Sequence, residues 1–429
     1  MSQRLRWGSV GLGVLSVLGI CWTPASAMLA QWLPAGSDAE NQAIAYSTSE
    51  PADAVARLQR DLDAGVRALQ FDADRGYLRS VLQALQVPVH SQGLVFSRTS
   101  FQRERISPAR PRAVYFNRHM YVGWVPGSRV LEIASVDPTL GPVFYTLTQE
   151  ATAHPRFQRQ TQACLQCHDS PSVTEGVPGL IMKSVHVGSD GEPIAAFGAD
   201  VTSDQTPMSR RWGGWYVTGT SGTQPHMGAD LGARVETDLY LGAHSDLVAL
   251  TVLAHQTHVQ NLLTRVGYRT RMALFFDRQR NHELGRSRDH VPEATRRLIE
   301  DVAEPLVHAM LFAGEAPLSA PVAGTSTFAA EFADQGPHDR QGRSLYALDL
   351  TRRLLRYPCS YLIYSESFDA LPAPAREHVY RRLNEVLSGA DTSPAFAHLS
   401  RMDRTAILEI LLDTKPAFAA WRASVFHAT

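Results

Sequence analysis

Residues 112–149 read RAVYFNRHMYVGWVPGSRVLEIASVDPTLGPVFYTLTQ. RAVYFN, MYVGWV, VLEIASVD and VFYTLTQ are short runs rich in Val, Tyr, Phe and Ile, set apart by Asn117, Pro126, Gly127 and Pro138. That is the pattern of antiparallel strands with tight connections. GLVFS at 93–97 adds a strand upstream, and GLIMKSVHVG (179–188), a turn at SDGEP and RWGGWYVTGT (211–220) extend the strand-like region downstream.

Outward from this block the period becomes helical. In SEPADAVARLQRDLDAGVRAL (49–69), Ser49 is placed to cap, Pro51 suits the first turn, and Val55, Leu58, Leu62, Val66 and Leu69 recur at three and four. YLRSVLQALQV follows and Pro88 ends it. Beyond Ser245, which is placed to cap, Leu247, Leu250, Leu253, Leu262 and Val266 mark a long helix. PEATRRLIEDVAEPLVHAMLFAG, with a kink expected at Pro305, and APAREHVYRRLNEVLSG, ending on Gly389, follow it. The expected fold class is α+β, with an antiparallel β-rich region at 91–242 flanked by a short N-terminal helical segment at 28–90 and a large, mostly helical C-terminal region at 243–429. The Gly, Pro and Ser-rich stretch 314–326 is the linker candidate within the last.

The first 27 residues carry Arg4 and Arg6, the apolar run WGSVGLGVLSVLGICW and the small residues PASA. This reads as a secretory signal peptide cut after Ala27, and the run is too short to span a membrane. The expected product is periplasmic or secreted, with no transmembrane segment after cleavage. The chain has 429 residues, with 41 basic against 42 acidic side chains. Nothing in that balance points to nucleic acid.

Cysteine is rare, four residues in all, yet two fall in ACLQCHD at 163–169. Cys21 leaves with the signal, and Cys359 in RYPCSYLIY is expected to be a buried, inert thiol. Two thiols three positions apart lie on one side of a helical turn, so each can add to one vinyl group of haem while the adjoining imidazole reaches the iron. In an exported chain Cys-x-x-Cys-His is therefore expected to attach one covalent haem c. A zinc site would need two more ligands, with Cys359 far away in sequence. A redox thiol pair or structural disulfide would need a strand-then-helix context absent from HPRFQRQTQACLQCH.

The motif resembles the haem-attachment site of c-type cytochromes, with Cys164 and Cys167 as thioether positions and His168 as proximal ligand. In small members of that group a proline carbonyl accepts a hydrogen bond from the proximal imidazole, and Pro178 is similarly placed. More widely, RAVYFN, YVGWVPG, LEIASVDPTLGPVFYTL, CLQCH, RWGGWYVTGT and YPCSYLIYSESFDALP resemble a group of large exported bacterial proteins described as cytochrome c domain-containing. The likeness covers most of residues 92–400 and implies haem without implying a reaction.

The opposite axial position decides between electron transfer and chemistry. GTQPHMGAD offers Met227 or His226, in a loop bounded by Gly and Pro. His255 and His258 share a helix face and are alternatives, as one haem ligand or as two ligands of a separate metal; Met182 and His186 rank below them. Each also has a plain structural reading as a packed side chain. Arg210 and Arg211 are candidate partners for haem propionates, because a guanidinium binds carboxylate through two parallel hydrogen bonds, and Trp212 and Trp215 are candidate walls of the pocket. The leading expectation is a monohaem c-type cytochrome passing single electrons to an unidentified redox partner protein. The alternative is a periplasmic, peroxidase-like haem oxidoreductase with an open distal site, in which His255 or His258 would serve as acid or base. A haem-based sensor and a zinc-binding protein stand behind these, and whether the chain is an enzyme stays open.

Overall fold

Asn117, Gly127 and Asp137 close three successive hairpins, and a six-stranded antiparallel meander results. In the computed structural model, which describes residues 37–232 and 235–426, the strands are β1 (Gly93–Val95), β2 (Arg112–Phe116), β3 (Met120–Trp124), β4 (Val130–Asp137), β5 (Gly141–Thr148) and β6 (Phe157–Arg159). They lie side by side in chain order. The carboxamide oxygen of Asn117 accepts from the His119 and Met120 amides at 3.0 and 2.9 Å, and Asp137 Oδ1 accepts from those of Thr139 and Leu140, both at 2.8 Å. Gly127 and Gly141 adopt φ of +70° and +69°, which a side chain would strain.

One face of the sheet carries Val114, Phe116, Tyr121, Ala134 and Phe144, and these join Leu250 and Leu253 in the main core. The other carries Tyr115, Val122, Ile133, Tyr145 and Leu147, also buried. Over it sits α1 (Ala54–Asp63), capped by Asp53, whose carboxylate accepts from the Val55 and Ala56 amides and, at 2.6 Å, from the Tyr145 hydroxyl. Coverage on both faces explains why β3 and β5 read as apolar runs rather than alternations. The cap is therefore Asp53, not Ser49, and α1 stops at Asp63, short of Val66 and Leu69. Gly65, left-handed at φ +68°, turns the chain away and leaves Val66 at 74% exposure. A second helix, α2, follows at Leu78–Ala84.

After β6 the chain leaves the sheet through α3 (Leu165–His168), the antiparallel pair β7 (Lys183–Val185) and β8 (Ala199–Val201), and the parallel pair β9 (Tyr216–Val217) and β10 (Ala229–Asp230). It then enters α4, Leu247–Glu283. Asp246, not Ser245, caps this helix: Oδ1 accepts from the Val248 and Ala249 amides, and Oδ2 from those of Thr325 and Ser326. Ser245 instead ties β1 to β9, its hydroxyl donating to Tyr216 O and accepting from the Leu94 amide. At 37 residues α4 runs about 55 Å, and most of its first half is buried. Its Thr264 lies where a side chain at Gly141 would be.

The remaining helices are α5 (Glu293–Met310), which continues through Pro305, α6 (Phe328–Ala333), α7 (Glu366–Asp369), α8 (Ala373–Ser388), α9 (Arg401–Thr414) and α10 (Pro416–Phe426). The stretch 314–326 is no free linker, since Val322 and Ala323 donate backbone hydrogen bonds to Leu350 and Thr220. The fold is α+β, with six strands gathered in one antiparallel sheet, four more in two small pairs, and the helices segregated around them. No helix among the described residues is long and apolar enough to cross a membrane. The signal-peptide reading lies outside the described residues.

Candidate site around Cys164, Cys167 and His168

A single helical turn presents the motif. Cys167 and His168 donate their amides to Cys164 O at 3.2 and 3.0 Å, which sets both thiols toward one side of α3. Both are free: Cys164 is half-buried against the core and Cys167 exposed. Burial, with the negative charge of Glu132, pushes the Cys164 thiol up to about 11, so it is protonated at neutral pH.

His168 Nδ1 lies 2.8 Å from the carbonyl oxygen of Gly179. A carbonyl only accepts, so Nδ1 carries the proton and Nε2 keeps its lone pair. No hydrogen bond reaches Nε2 among the described residues. The sequence pointed to Pro178 as acceptor; the carbonyl one residue on takes the role. The ring packs on Phe144 of β5 at 4.6 Å between centroids. Burial pushes this imidazole down to about 4 against the pull of the Gly179 carbonyl, and the positive charges of Arg112 and Lys183 add to the fall. His168 is therefore neutral at physiological pH, as a metal ligand must be.

The loop after the motif is stitched tightly. Ser170 N donates to Thr174 Oγ1 at 2.9 Å, Gly179 N donates to His168 O at 2.8 Å, and the Asn261 side chain of α4 binds both backbone groups of Leu180. Between this loop and α4 lies a cavity of about 90 Å³, lined by Thr174, Glu175, Leu180, Ser203, His258 and Arg265 among others. It lies beside the loop that engages Nδ1.

On the sheet, Arg112 of β2 and Glu132 of β4 pair at 2.5 Å, the guanidinium lying over Gly123. Arg112 Nε and Glu132 Oε1 are buried without a hydrogen-bond partner among the described residues. Arg112 and Lys183 are the cations whose field reaches His168, and the sequence reading nominated neither. The available signals were an arginine leading an apolar strand and one of only two lysines in the chain.

The other nominated residues are engaged elsewhere. The Met227 sulfur accepts from Ser184 Oγ at 3.8 Å, and His226 lies edge-on to Trp212 with Nδ1 accepting from the Gly228 amide. Met182 is buried in the core, and His186 packs on exposed Phe197. Arg210 pairs with Asp200, while buried Arg211 donates to the carbonyls of Thr206 and Asp204 at 2.6 and 2.9 Å. Trp212 is fully buried and Trp215 donates to Lys183 O.

His255 and His258 flank Asp204, which is 2% exposed, at 3.5 and 3.0 Å from Oδ1. Burial pushes the Asp204 carboxyl up, but the two imidazoles more than reverse this and hold it well below the usual carboxylate range. His255 also stacks on Phe312 at 4.1 Å and meets Ser360 Oγ through Nε2 at 2.8 Å. Ser360, His255 and Asp204 thus stand in the order of nucleophile, base and acid, which no sequence motif announced. Ser360 is fully buried and accepts from the Leu362 amide, so the row braces α4 against two loops. Among the described residues no group of three or more His, Cys, Asp or Glu is arranged to hold a metal ion.

No family model matches the chain, and neither the curated proteins nor the solved structures yield a match.

Proposed function

We propose that this chain is an exported monohaem c-type cytochrome that passes single electrons to a redox partner protein. One observation carries the reading: two free thiols on one helical turn stand beside an imidazole whose Nδ1 is pinned to Gly179 and whose Nε2 is uncommitted. Each thiol would add across one vinyl group, sulfur bonding to one carbon and the proton going to the other, so no leaving group or oxidant is required. The donor set fits: a neutral imidazole for iron, and cationic Lys183 for a propionate, Arg112 being held by Glu132. When bound, the haem supplies a one-electron ferric/ferrous couple. The protein's part is to orient His168 through Gly179, to pack it on Phe144 and to exclude water with the sheet.

A second reading, a haem oxidoreductase with an open site opposite His168, draws support from the engagement of Met227, His226, His255 and His258 elsewhere. The test is expression in a host with c-type haem maturation, then denaturing electrophoresis stained for haem. Haem that stays with the denatured chain, and is lost in Cys164→Ser/Cys167→Ser, supports attachment; a haem-free wild-type chain refutes it. Carbon monoxide then separates the two readings, because a reduced spectrum that does not move favours electron transfer and ready binding favours the oxidoreductase.

A further inference from the structure

We infer that Asn261 is a positioning residue for His168, acting through the peptide bond between Gly179 and Leu180; the inference rests on the proposed haem attachment. That peptide unit contributes both of its polar groups. Its carbonyl, on Gly179, accepts from His168 Nδ1 at 2.8 Å, and its N–H, on Leu180, donates to Asn261 Oδ1 at 2.7 Å. Carbonyl and N–H belong to one conjugated plane, so each hydrogen bond polarises the group that makes the other. The chain of bonds therefore runs from the side chain of α4 to the ring that would hold iron.

The orientation of the carboxamide is not arbitrary. Leu180 N offers only a donor and Leu180 O only an acceptor, and Asn261 Nδ2 meets that oxygen at 2.8 Å, which fixes the amide's sense. Gly179 N–H in turn donates to His168 O at 2.8 Å, so the same short segment grips both the backbone and the ring of the histidine. A side chain at Gly179 would stand 2.6 Å from Thr174 Cγ2 and 3.1 Å from Asn261 Oδ1, so glycine is what lets this closure form. Because Asn261 sits within α4, the anchor is a long, packed helix rather than another loop.

The physical consequence is directional. A more polarised carbonyl draws the Nδ1 proton harder, makes Nε2 a stronger donor and favours the ferric state. Removing the Asn261 acceptor weakens that pull and raises the reduction potential. The effect passes through one peptide unit, so we expect a change in the ferric/ferrous equilibrium of about threefold to tenfold, tenfold being about 59 mV for one electron.

The experiment compares the haem-loaded wild type with Asn261→Leu, which removes acceptor and donor, and Asn261→Asp, which still accepts from Leu180 N–H but cannot donate to Leu180 O. Asn261→Ala replaces the leucine if that variant does not accumulate. Reduction potential, haem per chain and thermal unfolding are read on each. The expected result is a raised potential in Asn261→Leu and a potential at or below wild type in Asn261→Asp, while both lose stability to a similar extent. An unchanged potential in Asn261→Leu, or upward shifts in both variants together, overturns the inference and leaves haem attachment standing. A wild-type chain without covalent haem overturns the functional reading and the inference with it.

Discussion

Replacing Glu315 with Gln should flatten part of the pH dependence of stability. Glu315 follows α5, and its Oε1 accepts from the Leu354 amide at 2.8 Å. Burial, the largest influence, pushes its carboxyl up to about 7; the Asp204 charge adds to this, while the Leu354 amide, Arg211 and Arg353 oppose it. Because the folded chain holds this proton more tightly than the unfolded chain, whose carboxyl titrates near 4.5, the contribution to stability is complete below pH 4.5. It is lost as pH rises through 7. Carrying one carboxyl over that span is worth about 3 kcal/mol. Glutamine keeps the acceptor for Leu354 and never ionises. The variant should match the wild type at pH 4.5 and exceed its stability at pH 8 by about 2–3 kcal/mol. Urea denaturation at half-unit intervals between those limits gives the difference curve. Wild-type and variant stabilities that run parallel across the whole interval would refute the argument.

Gly179→Ala places a methyl group against Thr174 and Asn261 and should cost about 1–3 kcal/mol, read by urea denaturation; an unchanged midpoint would mean that the loop yields freely. Asp204→Ala removes the carboxylate that faces two imidazoles, together with its field on buried Arg211, and should cost about 3–5 kcal/mol by urea denaturation, with Asp204→Asn milder because it can still accept from His258; equal losses would mean that the charge alone, and not this hydrogen bond, carries the contribution. Thiol labelling of the haem-free chain, followed by mass spectrometry, should modify exposed Cys167 under native conditions. Cys359, fully buried with its thiol pushed up to about 12, should react only after unfolding, and native labelling of Cys359 would contradict its burial.

What the sequence disclosed was local. The hairpins of the meander were legible because Asn117, Gly127 and Asp137 write their own turns within three residues. The helix starts were misplaced by one residue at Ser245 and by four at Ser49, because serine and aspartate are both good caps and only tertiary partners choose between them. The period in 49–69 ran past the true end of α1 because Val66 and Leu69 keep the spacing while Gly65 breaks the backbone. At the candidate site, Cys164, Cys167 and His168 are contiguous and so could be found. Asn261, Arg112, Glu132 and the Asp204 cluster could not, being brought together across 20 to 156 positions by the sheet and α4. Arg210 and Arg211 were read as a pair, but neighbouring residues point different ways, one to the surface and one inward.

The meander and its cover differ in how much chain must be closed to form them. Connections within the sheet are three residues at 117–119, five at 125–129 and three at 138–140, whereas seating Thr264 on Gly141 closes more than a hundred. Loop-closure entropy alone makes the second event about 3 kcal/mol less favourable than a hairpin. On chain entropy alone strand pairing is therefore favoured over docking of α4, and the face that the helix must close is the one carrying Phe116, Tyr121 and Phe144. His168 packs on Phe144 of that face, with Cys164 half-buried and Cys167 exposed on the same helical turn. Cys164, unlike Cys167, lies partly under that core, so an addition to its sulfur is expected to meet less obstruction in a chain whose long helix has not yet closed over the sheet.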